Sequence, residues 1–278
     1  MARHLPAESN PALRRFGVEL SRLRKLAEKS QQKLAKETLV SQQQVGAIER
    51  AERYPSKDFA ALADQALNSG TTLSDMWPEL YKDAYPHGVG EYVDMERQAS
   101  MIRQYHPTLI PGLVQTEDYA RTTLRAGNPL ASSEEIERLL EARMSRQRLF
   151  SRPKPPLAWF VVDEAVITRP VGSAKIMSDQ LGVLLDMIDN RKIQFQVIPF
   201  ATCHHPGLTG PFIVLSFQTK PDLVYAETVA QGEMVSDPDR VAPLTLLATN
   251  LQGAALSPEQ SRQFIYKTRE TFNGPELA

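Results

Sequence analysis

Between Ser30 and Ile48 the chain carries two short helical patterns separated by the three-residue break Thr38-Leu39-Val40, and this spacing restricts the fold of its N-terminal part more than any other feature. Ser30 precedes Gln31-Gln32-Lys33-Leu34-Ala35-Lys36 as an N-cap, where a side-chain oxygen satisfies an orphan N–H of the first turn. Ser41 opens the second pattern, and with Gln44 three residues later it matches a capping box. Val45 and Ile48 supply that helix's inward contacts. Upstream, Leu13, Phe16, Leu20, Leu23 and Ala27 step by three and four, which predicts one apolar stripe of an amphipathic helix over Leu13 to Glu28. Downstream, Ser56 caps a helix carrying Phe59, Leu62, Ala63 and Ala66 at the same spacing. Asn68-Ser69-Gly70 ends it, and Leu73, Met76 and Trp77 begin a short terminal turn or helix. An all-α domain over residues 12–77 is expected.

Short helix, break, short helix is the helix-turn-helix arrangement. Its second helix must stand clear of its neighbours so that its N-terminal residues reach base edges in the major groove. Gln42, Gln43 and Gln44 occupy those positions. Glutamine carries both a donor and an acceptor and can engage adenine N6 and N7 together. Three glutamines can also simply solubilise a helix start, and spacing alone does not separate the two readings.

Ser30-Gln31-Gln32-Lys33-Leu34-Ala35, then Val40-Ser41, then Ile48-Glu49-Arg50 closely resemble the Xre family, the Cro and phage-repressor type of helix-turn-helix, over about Leu20 to Leu73. That resemblance implies sequence-specific binding to double-stranded DNA. It implies that Gln31 contacts phosphate and braces the recognition helix. It places Gln42, Gln43, Gln44 and Ala47 toward the groove, counts Ser41 among the DNA-binding residues, and sets Arg50 and Arg53 near the DNA backbone. Glu49 is expected to partner an arginine rather than DNA. Two positions depart from the family. Leu39 stands where glycine is usual in the turn, and a left-handed backbone there is costly for leucine. Gly46 lies inside the recognition helix at a cost of about 1 kcal/mol relative to alanine; it either allows close backbone approach to DNA or only softens the helix.

Charge is distributed unevenly. Residues 1–67 hold 12 Lys+Arg against 8 Asp+Glu, and the remainder 20 against 25, so a basic head precedes an acidic body. The single cysteine, Cys203, fits a reducing compartment. No apolar run approaches membrane-spanning length, with Leu157 to Val162 among the longest, and the N-terminus lacks a signal-peptide h-region. A cytoplasmic location with no membrane contact is expected.

Residues 78–90, rich in proline, glycine and aromatics, read as a linker, and 91–272 as a second domain that mixes helices with a small sheet. Helices are expected over Tyr92 to Gln104, from near Gln115 to Ala126, after the Ser132–Glu135 capping box to about Phe150, and over Ile176 to Ile188. Strands are expected at Leu157–Val162, Ile193–Ile198, Phe212–Phe217 and Leu223–Ala226. Asp237-Pro238 and Ser257-Pro258 open two closing helices, the second with a Ser257–Gln260 capping box. The fold class is therefore multidomain, an all-α helix-turn-helix head followed by an α+β domain. Ile110-Pro-Gly-Leu-Val-Gln-Thr-Glu-Asp-Tyr-Ala120, Val197-Ile-Pro-Phe200, His205-Pro-Gly-Leu-Thr-Gly-Pro-Phe212 and Ala255-Leu-Ser-Pro-Glu-Gln-Ser261 resemble the domain that follows an Xre-type head in actinobacterial antitoxin-like regulators. That resemblance implies a partner-binding or dimerising role, with a small protein encoded nearby as the partner.

Chemistry other than binding finds little support. Cys203-His204-His205 is an awkward metal set, because neighbouring residues in extended chain point opposite ways and no second cluster accompanies them. Gly88-Val-Gly90 begins like a dinucleotide fingerprint, but Val93 occupies the third glycine position and no strand precedes it. Asp163-Glu164 and Glu117-Asp118 are paired carboxylates of the kind that more often cap helices than transfer protons. No P-loop or nucleophile elbow occurs. The expectation is a homodimeric transcriptional regulator that is not an enzyme and has neither cofactor nor metal. The alternative is an interaction or ligand-sensing module whose helical head does not touch DNA.

Overall fold

The computed structural model describes residues 11–77, 79–80, 89–228 and 232–273. Most of the expected linker, residues 78 and 81–88, and with it Gly88, lies outside them. The chain divides into two compact units: Met1–Tyr85 with Glu137–Ser145, and Pro86–Ile136 with Arg146–Ala278.

The first unit is all helical: α1 (Pro11–Leu26), α2 (Gln31–Glu37), α3 (Gln42–Glu49), α4 (Lys57–Leu67) and α5 (Thr72–Met76). The apolar stripe of α1 lies inward as its periodicity requires, with Leu13, Phe16, Leu20 and Leu23 all buried. They meet Leu34 and Ala35 of α2, Val45 and Ile48 of α3, Phe59 and Ala63 of α4, and Trp77, with Ala142 completing the core. Three serine caps form where the sequence places them: Ser30 accepts from Lys33 N–H, Ser41 from Gln44 N–H and Ser56 from Phe59 N–H. Asp64 of α4 performs a further capping role that sequence spacing does not announce. Its carboxylate accepts the backbone N–H groups of Leu73 (2.9 Å) and Ser74 (2.8 Å), two orphan donors in the first turn of α5. Trp77 donates its indole N–H to Pro55 O at 3.0 Å. The side chains that fix α4 and α5 are thus polar as well as apolar.

The second unit is an α+β domain. It contains α6 (Val89–Glu96), β1 (Met101–His106), α7 (Glu117–Gly127), β2 (Leu157–Asp163), α9 (Glu164–Thr168), α10 (Ala174–Asp189), β3 (Gln194–Ile198), β4 (Phe212–Ser216), β5 (Leu223–Glu227), β6 (Gly232–Val235), α11 (Pro238–Ala254) and α12 (Pro258–Asn273). The helix between α7 and β2, α8 (Ser133–Arg146), contributes residues to both units. Six strands form one mixed sheet in the order β3-β2-β1-β4-β5-β6. β1, β2 and β3 run parallel; β4, β5 and β6 continue antiparallel from β1. Alternate residues of this sheet, among them Tyr105, Val161, Val214 and Val224, pack beneath Val241, Ala248 and Leu251 of α11. Ser257 and Gln260 make the expected reciprocal capping box at α12.

The helix expected to about Phe150 ends at Arg146 and passes into a 3-10 turn over Gln147–Ser151, α9 and β6 are present without having been expected, and one expected element changes type. The helix expected over Tyr92 to Gln104 stops at Glu96, and Met101–His106 is β1, a strand with partners on both sides. Its sequence, Met-Ile-Arg-Gln-Tyr-His, conceals this because a strand paired on both edges is usually apolar. Here the polar side chains find partners instead. Arg103 meets Asp222 and Ser216, both at 3.3 Å, and the Tyr105 hydroxyl donates to Asp163 at 3.1 Å.

Candidate nucleic-acid interface

The turn between α2 and α3 decides how α3 is presented. Thr38 ends α2 with its N–H and its hydroxyl both bonded to Leu34 O. Leu39 then takes φ +56°, the left-handed conformation, and its side chain is 84% exposed. The turn therefore keeps the geometry that glycine would serve, at a cost of about 1–2 kcal/mol for a β-carbon in that region. Leu39→Gly should relieve that strain while adding unfolded-state entropy, for a net stabilisation of roughly 0.5–1 kcal/mol. A thermal melt in which the variant unfolds below the parent would show that the exposed leucine contributes more than its backbone costs.

From this turn α3 begins with Ser41 as its cap. The capping box is complete: Gln44 N–H donates to Ser41 Oγ at 3.2 Å, and Ser41 N–H donates to Gln44 Oε1 at 2.9 Å. The three glutamines are therefore not equivalent. Gln42 and Gln43 are exposed, whereas Gln44 is half-buried with its amide oxygen engaged in the cap. Ala47, one turn beyond Gln43, is half-buried, while Val45, Gly46 and Ile48 face inward.

The far end of α3 is fixed by a carboxylate. A negative charge at the last residue of a helix opposes the helix dipole, so Glu49 needs an external partner. Arg24 of α1 supplies it with two bonds, Nε to Oε1 at 2.6 Å and Nη2 to Oε2 at 3.0 Å. Gln31, the first residue of α2, donates Nε2 to Glu49 Oε2 at 2.8 Å. Burial alone would raise the Glu49 carboxyl pKa, but the Arg24 and Gln31 bonds outweigh it and hold it below the usual value. Glu49 is thus an arginine's partner, as expected, and Gln31 bridges α2 to α3.

Two glycines permit this packing. A Cβ on Gly17 of α1 would stand 2.6 Å from Glu49 O and 2.7 Å from Ile48 O, so only glycine lets α1 approach the carbonyl end of α3. A Cβ on Gly46 would stand 3.1 Å from Arg50 Nη1 and 3.4 Å from Gln31 Oε1. Gly46 is buried beside those side chains, so its missing Cβ leaves room for Gln31 and Arg50. Beyond α3, Arg50 pairs with Glu52 through two bonds (2.8 and 2.7 Å) and stays largely exposed, as does Arg53.

The other sequence candidates lie in the second unit. His205 turns inward, with Nε2 2.6 Å from Asp163 Oδ1 and Nδ1 accepting Gly207 N–H at 2.9 Å, while Cys203 and His204 are exposed. The Cys203-His204-His205 run is split between the interior and solvent. Among the described residues, no group of three or more His, Cys, Asp or Glu is arranged to hold a metal ion. Glu164 accepts Phe200 N–H at 2.8 Å, and Glu117 and Asp118 pair with Arg121. No helix among the described residues is long and apolar enough to cross a membrane.

A pinned helix with a capped, exposed N-terminus that follows a short helix and a left-handed turn defines a helix-turn-helix DNA-binding regulator, and residues 20–73 match the Helix-turn-helix family of Cro and CI type. Members of that family are DNA-binding regulators and not enzymes. Residues 89–267 match the Domain of unknown function (DUF5753), which spans most of the chain, and the protein belongs to that family. No curated protein and no solved structure matches the chain.

Proposed function

We propose that the protein regulates transcription by reading operator DNA through Gln42 and Gln43. Ala47 lies over the groove floor, and Arg50, Arg53, Ser41 and Gln31 contact phosphate. The single observation that supports this assignment most is the division of labour at the start of α3. Gln44 holds the helix start together, which leaves Gln42 and Gln43 exposed with both amide atoms available to a base edge. Gln31 serves chiefly as the brace that carries α3, through its bond to Glu49. The protein acts as a homodimer, because two heads one DNA turn apart, about 34 Å, read a pseudo-palindrome. Its second domain, antitoxin-like in sequence, binds a small protein encoded nearby in the cytoplasm and through it alters head spacing. Co-expression with the product of an adjacent gene, followed by sizing of the complex, tests that part. A protein that stays monomeric and alone would refute it.

The DNA reading is tested by selecting bound sequences from random duplexes with the full chain, then measuring variants on the selected operator and a scrambled duplex at several salt concentrations. Gln42→Ala and Gln43→Ala should each cost about 1–3 kcal/mol on the operator and relax preference at one base position. Gln44→Ala should instead lower the melting temperature, because it breaks the capping box. Arg53→Ala should weaken both duplexes alike and reduce the salt slope by about one unit. Arg50→Ala should change the slope less, since Glu52 already offsets its charge. Undiminished operator preference in the Gln42→Ala/Gln43→Ala double variant would show that α3 is not the reading helix.

A further inference from the structure

A cleft of about 430 Å³ in the second domain runs along the N-terminal ends of β1 and β2 and the turn after β4. Arg97, Arg152, Lys154 and Lys220 line it, and no carboxylate does. This is the reverse of what the surrounding chain would supply at random, since residues 68–278 carry more acidic than basic side chains. Two of the cations are held in place by groups that leave their charge intact. Arg152 donates Nη1 to Arg97 O at 2.5 Å, and Lys220 donates Nζ to Gln98 Oε1 at 2.6 Å. Asp94 lies 3.7 Å from Arg97 but is not part of the lining, and Asp222 is tied to Arg103 and Ser216. Four like charges gathered round one concavity, with two of them oriented by neutral acceptors, raise the local potential for an anion.

The remaining wall is apolar. Pro156 is buried, Phe217 is half-buried with Lys220 Nζ 5.8 Å from its ring centroid, and both face the same cleft. The volume lies within the range of small-ligand pockets and exceeds what one inorganic phosphate fills. Arginine and lysine together suit phosphoryl oxygens, with the guanidinium offering paired donors and the ammonium a compact charge.

We infer that this cleft binds a nucleotide-sized organic phosphate, its phosphoryl groups among Arg97, Arg152, Lys154 and Lys220 and its planar body against Phe217 and Pro156. The ligand reaches the regulator through a site separate from the DNA-reading helix, so the second domain is a receptor for a small anion as well as for any protein partner. The inference does not depend on the assignment of Gln42 and Gln43.

Calorimetry on the full chain with ATP in a chelator-containing buffer tests it, with AMP, adenosine, oligoglutamate and a non-operator duplex as comparison probes. One ATP per chain is expected, binding more tightly than AMP, with no binding of adenosine. Arg152→Ala/Lys154→Ala should weaken ATP by about tenfold or more, since each removes a charge-assisted contact. Both side chains are exposed, so a matching melting temperature would establish that the variant is folded. Gln42→Ala/Gln43→Ala should leave ATP binding unchanged. The inference is overturned if ATP does not bind, or if the double variant binds it as well as the parent. Oligoglutamate binding as tightly as ATP would reduce the cleft to a general acidic-peptide surface and overturn the phosphate assignment. A non-operator duplex that competes with ATP and loses affinity in the Arg152→Ala/Lys154→Ala variant would make the cleft a DNA-backbone contact, which also overturns it.

Discussion

Glu49→Ala is expected to lower the stability of the head by about 2–4 kcal/mol, slightly below the roughly 3–5 kcal/mol lost when one member of a fully buried pair is removed. The Glu49 side chain is 8% exposed and that of Arg24 12%, so the variant leaves a nearly buried guanidinium with its Nη1 bond to Lys29 O at 2.8 Å but without its counter-charge. It also removes the acceptor that Gln31 uses to tie α2 to α3. For a domain of this size such a loss lowers Tm by on the order of 15 °C. Operator affinity should fall at temperatures where the head is still folded, because the recognition helix keeps its capped start and loses its far anchor. Acid supplies a second readout. The Glu49 carboxyl has a lower pKa in the folded head than in the unfolded chain, so its contribution is complete above the unfolded value of about 4. It is lost as pH falls through the folded value, and the gap between parent and variant should close there. Some acid sensitivity should persist in the variant. Asp64 is depressed in the same direction, where burial is outweighed by the Ser69 hydroxyl and the Leu73 and Ser74 N–H groups. A variant that melts with the parent at neutral pH would show that Arg24 and Gln31 are held by other contacts.

The head was largely legible because its determinants are local. A serine three residues before a glutamine, and apolar residues at steps of three and four, specify caps and buried faces without reference to distant chain. Ser30, Ser41 and Ser56 therefore behave as read. What spacing could not supply was competition for a single side chain. Gln44 belongs both to the glutamine run and to the capping box, and only geometry shows that its amide oxygen serves the cap. Gly46 was similarly ambiguous until Gln31 and Arg50 were seen beside it. In the second domain the legible strands were those with apolar runs, β2 to β5. β1 was hidden because partners that satisfy Arg103 and Tyr105 lie more than fifty residues away in sequence. The basic cleft was hidden for the same reason, since its four cations come from three separate segments.

Arg146→Met is expected to cost the second domain about 3–5 kcal/mol. Glu96, the last residue of α6, is 1% exposed at its side chain and would be an uncompensated buried carboxylate without Arg146. Arg146 binds it through Nε to Oε1 at 2.9 Å and Nη2 to Oε2 at 2.7 Å, and Nη2 also reaches the Tyr92 hydroxyl at 3.0 Å. The Tyr92 hydroxyl donates to the same carboxylate, and burial, followed by the charge of Glu96, pushes the phenol well above its ordinary pKa. The Tyr92 ring in turn stacks on Tyr225 of β5, 4.3 Å between centroids. One arginine therefore fixes α6 to an antiparallel strand of the sheet through a carboxylate and two rings. Methionine fills a similar volume but supplies neither charge nor donor, so the loss measures the orphaned Glu96 rather than a cavity. The double variant Arg146→Met/Glu96→Gln should recover most of the stability, because glutamine is neutral and its amide oxygen still accepts from Tyr92. Urea unfolding followed by the fluorescence of Trp159, a residue of β2, resolves the two variants in a Trp77→Phe background that removes the head's own tryptophan signal. Equal losses in the single and double variants would mean that the contact of the guanidinium with the Tyr92 ring face, 5.2 Å from guanidinium carbon to ring centroid, outweighs the ion pair.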